Sequence, residues 1–334
     1  MPDLAAHVDT LAAASAFSGV VRVDRGDEVL VEKAYGHANR AWGIPNEADT
    51  RFAIASGVKG MTALAVVSLI EEGMLDLETS ARSVLGDDLP LIDDAVTVEH
   101  LLAHRSGIGD YFDEDIPSEI TDYLLTVPVH TLAETEDYVA ALDGFPTKFA
   151  PDERFSYCNG GFVVLALIAG RVSGVPFHEL VVQRVCEPAG MSDTAFLRSD
   201  ELPGRTAVGY LTSDGLRTNV LHLPVRGSGD GGIYTTAADV RRLWTAFLAG
   251  RIVSEDWVRE MARPRSDTSE EERRYGLGFW LHPTTDTVIL EGYDAGVSFR
   301  SYHDPHADVT ATVIANWSDG AWGVAGPLAE KLGL

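Results

Sequence analysis

The run Phe52-Ala-Ile-Ala-Ser-Gly-Val-Lys59 leads into a helical pattern over Ser56–Glu72, with Met61, Leu64, Ala65, Ser68 and Leu69 at i, i+3, i+4 spacing and Gly73 as the stop. Lysine is scarce: only Lys33, Lys59, Lys148 and Lys331 occur. Lys59 sits in the first helical turn, where the helix dipole disfavours a cation. Ser56 lies three residues earlier on the same helix face. A serine hydroxyl is a weak nucleophile until a neighbouring base takes its proton. A lysine amine can be that base if desolvation and the helix N-terminus lower its pKa. The same N-terminus offers free N–H groups to an oxyanion. The spacing also fits a capping serine beside a lysine that snorkels to solvent.

On the N-terminal side of this run, residues 4–15 have helical spacing. Residues 19–24 and 29–35 are two β-rich runs around an Arg25-Gly26-Asp27 turn, an antiparallel hairpin. On the C-terminal side, residues 75–230 read as helix and loop: a short helix capped by Thr97 and ending at Gly107, helical segments over 115–145 broken at Pro128, and apolar helices at 162–172 and 177–185. Thr236 and Asp239 form a capping-box pattern opening a helix to Leu248, and 264–274 reads as a solvated loop. Strand patterns follow at 276–282, 287–291, 297–303 and 309–316, then a closing helix at 320–332. Strands at both ends with helices between predict an α+β fold: an antiparallel sheet built from both chain ends and flanked by helices. Residues 1–55 and 232–334 are expected to form the sheet-containing domain and 56–231 the mostly helical one, with the active site in the cleft between them.

A second element bears on Ser56 and Lys59. In Phe155-Ser-Tyr157-Cys-Asn159, tyrosine and asparagine two residues apart project to one side of extended backbone. Tyr157 can act as base toward Ser56 or as acid to a leaving group; Asn159 can orient the lysine and hold a substrate carbonyl. A tyrosine that only packs on the next helix fits as well.

Together these segments resemble the serine β-lactamase and penicillin-binding protein superfamily, in particular its class C-like branch of esterases, D-aminopeptidases and DD-peptidase relatives. The resemblance runs through residues 52–59, through Thr97-Val-Glu-His-Leu-Leu-Ala-His-Arg-Ser-Gly107, Pro151–Asn159, Glu187-Pro-Ala-Gly-Met-Ser-Asp-Thr194 and Gly231-Gly-Ile-Tyr-Thr-Thr236. It implies a β-lactamase/DD-peptidase-like fold, Ser56 as nucleophile, Lys59 as its activating partner, Tyr157 as acid/base and Asn159 as the Y-x-N asparagine. It implies a third motif, K-T-G or H-x-G, whose best match is Gly292-Tyr293-Asp294-Ala295-Gly296. Here Tyr293 replaces the cation or imidazole and Ala295 replaces a glycine. Losing that cation weakens a site for a substrate carboxylate, and Asp294 repels one if it faces the pocket; Arg300 is a candidate substitute. Gly296 N–H is expected as the second oxyanion donor beside Ser56 N–H.

The expected activity is a cofactor-independent serine hydrolase acting through an acyl-enzyme on small esters or amides. A β-lactamase, DD-peptidase or D-aminopeptidase, an acyltransferase, and a binding or sensory module without turnover are the alternatives. The partner is a small ester, amide or lactam. The chain has 51 acidic and 26 basic residues, a formal charge of −25, which argues against nucleic acid and anionic membranes. Two cysteines in no metal or disulfide spacing, and no visible leader, suggest a cytoplasmic address.

Other signals carry less. Gly227-Ser-Gly-Asp-Gly-Gly232 matches GxGxxG, but Pro224 interrupts the strand such a fingerprint needs. His100 and His104, or His303 and His306, lack a third zinc ligand, and the second pair is expected to be exposed in a turn. Ser106 and Ser228 lie in no nucleophile elbow; Ser228 reads as a pocket-rim loop residue. Cys158 reads as a buried inert thiol. The acidic clusters at 87–88, 93–94 and 270–272 read as solvated surface. Trp42, Trp280, Trp317 and Trp322 read as core or wall.

Overall fold

The computed structural model describes residues 4–116, 119–268 and 273–334. Eight strands form one antiparallel sheet: β1 (Gly19–Arg25), β2 (Glu28–Tyr35), β3 (Ser266–Thr268), β4 (Arg273–Tyr275), β5 (Trp280–Leu281), β6 (Val288–Asp294), β7 (Val297–Asp304) and β8 (Val309–Ala315). Their order is β2-β1-β8-β7-β6-β5-β4-β3. The chain ends meet inside the sheet, one strand in from its β2 edge, with Gly19 opposite Ala315 and Arg25 opposite Val309.

Strand alternation assigns the two faces. Val21, Val23, Ala311 and Val313 pack with Leu4, Val8, Val324 and Leu328 of the terminal helices, α1 (Leu4–Ala14) and α5 (Trp322–Leu332). Their neighbours Val20 and Ile314 join the opposite core, with α2 (Lys59–Glu71), α3 (Asn159–Ser173) and α4 (Ala237–Leu248). α2 is buried at every position from Lys59 to Leu69, and α3 from Asn159 to Ala169. Helices apolar all round are buried helices, and these two form the middle of the molecule.

Several sequence expectations change. The 264–274 stretch is not all loop: β3 and β4 pair there as short strands, with β3 at the sheet edge, a length and polarity suited to an unprotected edge. Among the described residues of 115–145, helix is confined to short turns at Val129–Thr131 and Thr135–Leu142. Thr236 Oγ1 accepts the Asp239 N–H at 3.1 Å. The Asp239 carboxylate does not complete the box; it accepts from Asp193 N and Thr194 Oγ1, both at 2.8 Å. His303 is buried, stacked on Trp244 and bonded to Thr310 at 2.8 Å, while His306 is exposed beside Asp286. Ser228 is fully buried. Asp88 and Asp94 are exposed partners of Arg171 and Arg82; residues 270–272 lie outside the described residues.

Candidate active site

Ser56 lies in a 3-10 turn, Ala55–Val58, that runs directly into α2 at Lys59. In 3-10 geometry, side chains at i and i+3 eclipse, so serine and lysine stand in line. Lys59 Nζ is 2.8 Å from Ser56 Oγ, 2.8 Å from Asn159 Oδ1 and 2.9 Å from the Asp230 carbonyl. As an ammonium it donates to all three; as a neutral amine it gives two hydrogens to Asn159 and Asp230 and turns its lone pair to the serine O–H. Lys59 is 2% exposed, which excludes the snorkelling alternative. Burial pulls its pKa below the ordinary 10.5, against the opposing pull of Asp230, Glu114, Asp110 and Asp294. Ala55 adopts φ +44°, a left-handed backbone for a residue with a side chain, immediately before the nucleophile.

Tyr157 and Asn159 converge on the same point. The Lys59 nitrogen lies 4.9 Å from the Tyr157 ring centre. Burial, then the Glu114 carboxylate, hold the phenol well above 10, while a hydrogen bond with Ser56 pulls the other way. Trp280 stacks parallel to the Tyr157 ring at 5.8 Å, and His104 covers it at 4.2 Å. His104 Nδ1 accepts the Cys158 N–H at 3.0 Å. Burial holds that imidazole well below its ordinary pKa, so it packs as a neutral ring. Asn159 is fully engaged: Oδ1 faces Lys59, while Nδ2 donates to the Phe112 carbonyl at 3.1 Å and Glu114 Oε1 at 3.0 Å. Its amide therefore orients the lysine and keeps no donor for a substrate carbonyl. Cys158 is buried, and its thiol is pushed well above the ordinary range.

The third segment departs from expectation. Leu290, Gly292 and Asp294 share one face of β6 by alternation, and a Cβ on Gly292 would lie 2.0 Å from the Ile54 carbonyl. The missing side chain lets the nucleophile turn seat against the strand. Gly296 is not a free oxyanion donor: its N–H donates to Ser318 Oγ at 2.9 Å in the two-residue turn between β6 and β7. The Ala295 carbonyl accepts from Asn219 at 2.9 Å. The Tyr293 side chain points away, bonding Asp319 at 3.0 Å and meeting Trp322 edge-on. Arg300 is held by Glu291 and lies 4.9 Å over Trp322, so it supplies no cation to the pocket. Asp294 does line the pocket beside Ser56.

Three acidic residues escaped the sequence reading. Asp110 receives the N–H groups of Asn159 at 2.6 Å and Gly160 at 2.8 Å and so caps α3; burial raises its carboxyl to about 7. Asp230 accepts from the Tyr111 hydroxyl, and Glu114 accepts from Asn159. Burial pushes both carboxyls up. The available signal was the setting of Asp110, an acid between apolar Ile108 and the aromatic pair Tyr111-Phe112. The glycines around Asp230 serve packing: a Cβ on Gly229 would lie 2.2 Å from the Phe162 carbonyl, and the Gly229 carbonyl accepts from Thr62 at 2.6 Å.

Comparison with known proteins identifies the family to which the chain belongs. A penicillin-binding protein from Bacillus halodurans superposes with a TM-score of 0.91 at 36% identity, over 98% of this chain and 100% of that one. The esterase EstB of Burkholderia gladioli is 29% identical over 304 residues, 82% of this chain and 76% of its own length. A D-aminopeptidase of Brucella anthropi is 28% identical over 317 residues, 92% of this chain and 57% of its own. This chain thus spans 57% to 76% of those two curated relatives. The sequence signature of the family described as Beta-lactamase matches residues 4–330, and the chain belongs to that family.

Proposed function

We propose that the chain is a serine hydrolase that cleaves small esters or amides through an acyl-enzyme on Ser56. The observation that carries this reading is the 2.8 Å contact between Ser56 Oγ and a buried Lys59 whose other two contacts are both acceptors.

In this mechanism the Ser56 proton passes to Lys59 Nζ as Oγ bonds the substrate carbonyl carbon. Negative charge develops on the carbonyl oxygen and is met by Ser56 N–H, in the first turn of its helix. A second donor is Tyr293 N–H. The pair Asp294–Val297 closes a two-residue turn, and ladder alternation aims the Tyr293 amide at the outer edge of β6. That edge is paired to β5 only at Val288 and Ile289. Tyr157 starts as a neutral phenol, so it acts as the acid: its proton goes to the leaving oxygen or nitrogen as the carbon–leaving-group bond breaks, and Lys59 returns a proton to it. Water then attacks the acyl-enzyme by the same groups in reverse.

The test is fluorophosphonate labelling together with a p-nitrophenyl ester series, on the wild type and Ser56→Ala. The expected result is labelling and Ser56-dependent turnover in the wild type, both lost in the variant. A wild-type protein that resists the probe and hydrolyses no ester would favour a binding module on the same scaffold. Tyr157→Phe should acylate slowly with phenol-type leaving groups and far more slowly with alcohol or amine leaving groups, which need the proton.

A further inference from the structure

Asp230 gives its backbone carbonyl to Lys59 Nζ at 2.9 Å, and the loop around it holds that carbonyl without help from the side chain. The Ser228 N–H donates to the Gly231 carbonyl at 3.0 Å. Thr62 of α2 donates to the Gly229 carbonyl at 2.6 Å, and a Cβ on Gly229 would lie 2.2 Å from the Phe162 carbonyl of α3. The carboxyl of Asp230 is nonetheless buried there. It accepts from the Tyr111 hydroxyl, a phenol that burial and the Asp230 charge hold well above its ordinary pKa, so that it stays a donor. Burial pushes the Asp230 carboxyl up, while Lys59 and then Tyr111 favour its ionised form. Among the acids that act on Lys59, Asp230 acts most strongly, ahead of Glu114, Asp110 and Asp294. The Tyr157 ring at 4.9 Å and the neutral His104 also face the amine. Asp110, Asp294, Tyr123 and Tyr138 face Asp230. The Tyr138 hydroxyl is turned to the Arg226 carbonyl at 2.7 Å.

Resting on the hydrolase reading above, we propose that Asp230 is a positioning residue for Lys59: its carbonyl fixes the amine, and its carboxylate is the counter-charge to the ammonium that forms when Lys59 takes the Ser56 proton. The Ser56 O–H bond breaks, an N–H bond forms on Nζ, and the carboxylate takes no proton. It balances the new positive charge, as the acid of a Ser-His-Asp site does for its imidazolium. Tyr111 serves by donating to the carboxylate and keeping it ionised. The covalent reach from the Asp230 carbonyl puts the carboxylate no more than about 9 Å from Nζ, where a unit charge at an effective dielectric of about 20 moves a midpoint by about one pH unit or more.

The experiment titrates the amine directly. With only Lys33, Lys59, Lys148 and Lys331 in the chain, protein labelled with ¹³Cε-lysine gives a short NMR spectrum in which Lys59→Arg identifies the Lys59 signal. In Asp230→Asn the Lys59 midpoint should fall by about one pH unit, with the other three signals in place. Asp230→Ala keeps the backbone carbonyl and loses the same charge, so it should lower the midpoint too and serves if the first variant does not fold. The acid limb of kcat/KM for p-nitrophenyl acetate, whose leaving group needs no proton, should move down with the signal. The plateau should drop about tenfold or more, because a weaker base accepts the serine proton less readily. A Lys59 midpoint that stays or rises in the variants would overturn the proposal, and so would an acid limb that does not follow the signal; either leaves the hydrolase reading standing. A wild type without Ser56-dependent hydrolysis would instead bring down that reading and the role of Asp230 with it.

Discussion

The arrangement around Lys59 assigns its protonation state a visible role. As an ammonium it donates to Ser56; as an amine it accepts from it, and only the second form activates the hydroxyl. Rates should therefore rise with pH as Lys59 loses its proton, at a midpoint below the ordinary lysine range because burial favours the amine. Lys59→Arg, permanently charged, should lower kcat/KM by about 10²–10⁴-fold and remove that limb of the pH profile. A wild-type profile flat from acid to alkaline pH would contradict the assignment. Asp294 has the opposite bearing on stability. Its carboxyl titrates at about 7 in the folded chain against an ordinary 3.8. Between those values the folded state holds a proton that the unfolded state has released. The stability this contributes is fully present at low pH and is lost as pH rises through 7. Asp294→Asn should raise Tm at about pH 8 and leave it nearly unchanged at about pH 4. A Tm gain equal at both values would show that the carboxyl is not the strained group.

At the scale of elements, the site is a contact between the 55–58 turn and β6. Gly292 supplies the close approach, since any Cβ there meets the Ile54 carbonyl at 2.0 Å and the Gly57 nitrogen at 3.0 Å. Gly292→Ala should cost about 1–3 kcal/mol of stability through overpacking. It should also slow Ser56 labelling more than it lowers Tm would suggest, because the nucleophile turn is what must shift. Thermal melts run beside probe labelling separate these effects; a variant with wild-type labelling would mean that β6 does not position Ser56. On the other side, Asp110 ties Asn159 and Gly160 to the 109–112 loop, so the cap that starts α3 also sets the amide that orients Lys59.

At the scale of the whole molecule, the sheet is closed by two strands nearly three hundred residues apart, Val21 opposite Val313. Such a pairing closes a very long loop, so it holds only while the rest of the fold keeps the two segments together. The Val21 and Val313 amides should therefore exchange hydrogen only through global opening and with equal free energies, while the short strands β3 and β4 at the far end of the sheet exchange faster through local fraying. Native-state exchange measures this directly. Fast exchange over 19–25 with slow exchange over 309–315 would mean that the N-terminal hairpin opens as its own unit.

Much of this was legible in one dimension because it is local. Ser56 and Lys59 share a turn, Tyr157 and Asn159 lie two residues apart where an extended segment enters α3, and the terminal hairpin and strands carry a period of two; each depends on a few consecutive residues and the backbone geometry they adopt. Tertiary structure decided everything that depends on who stands opposite. Gly296 loses its free N–H to Ser318, Arg300 is taken by Glu291, and His303 is buried against Trp244. Asp110, Asp230 and Glu114, scattered over 120 positions of an acidic chain, become one buried cluster around Lys59. A carboxylate's meaning lies in its desolvation and its neighbours, and neither is written in adjacent residues.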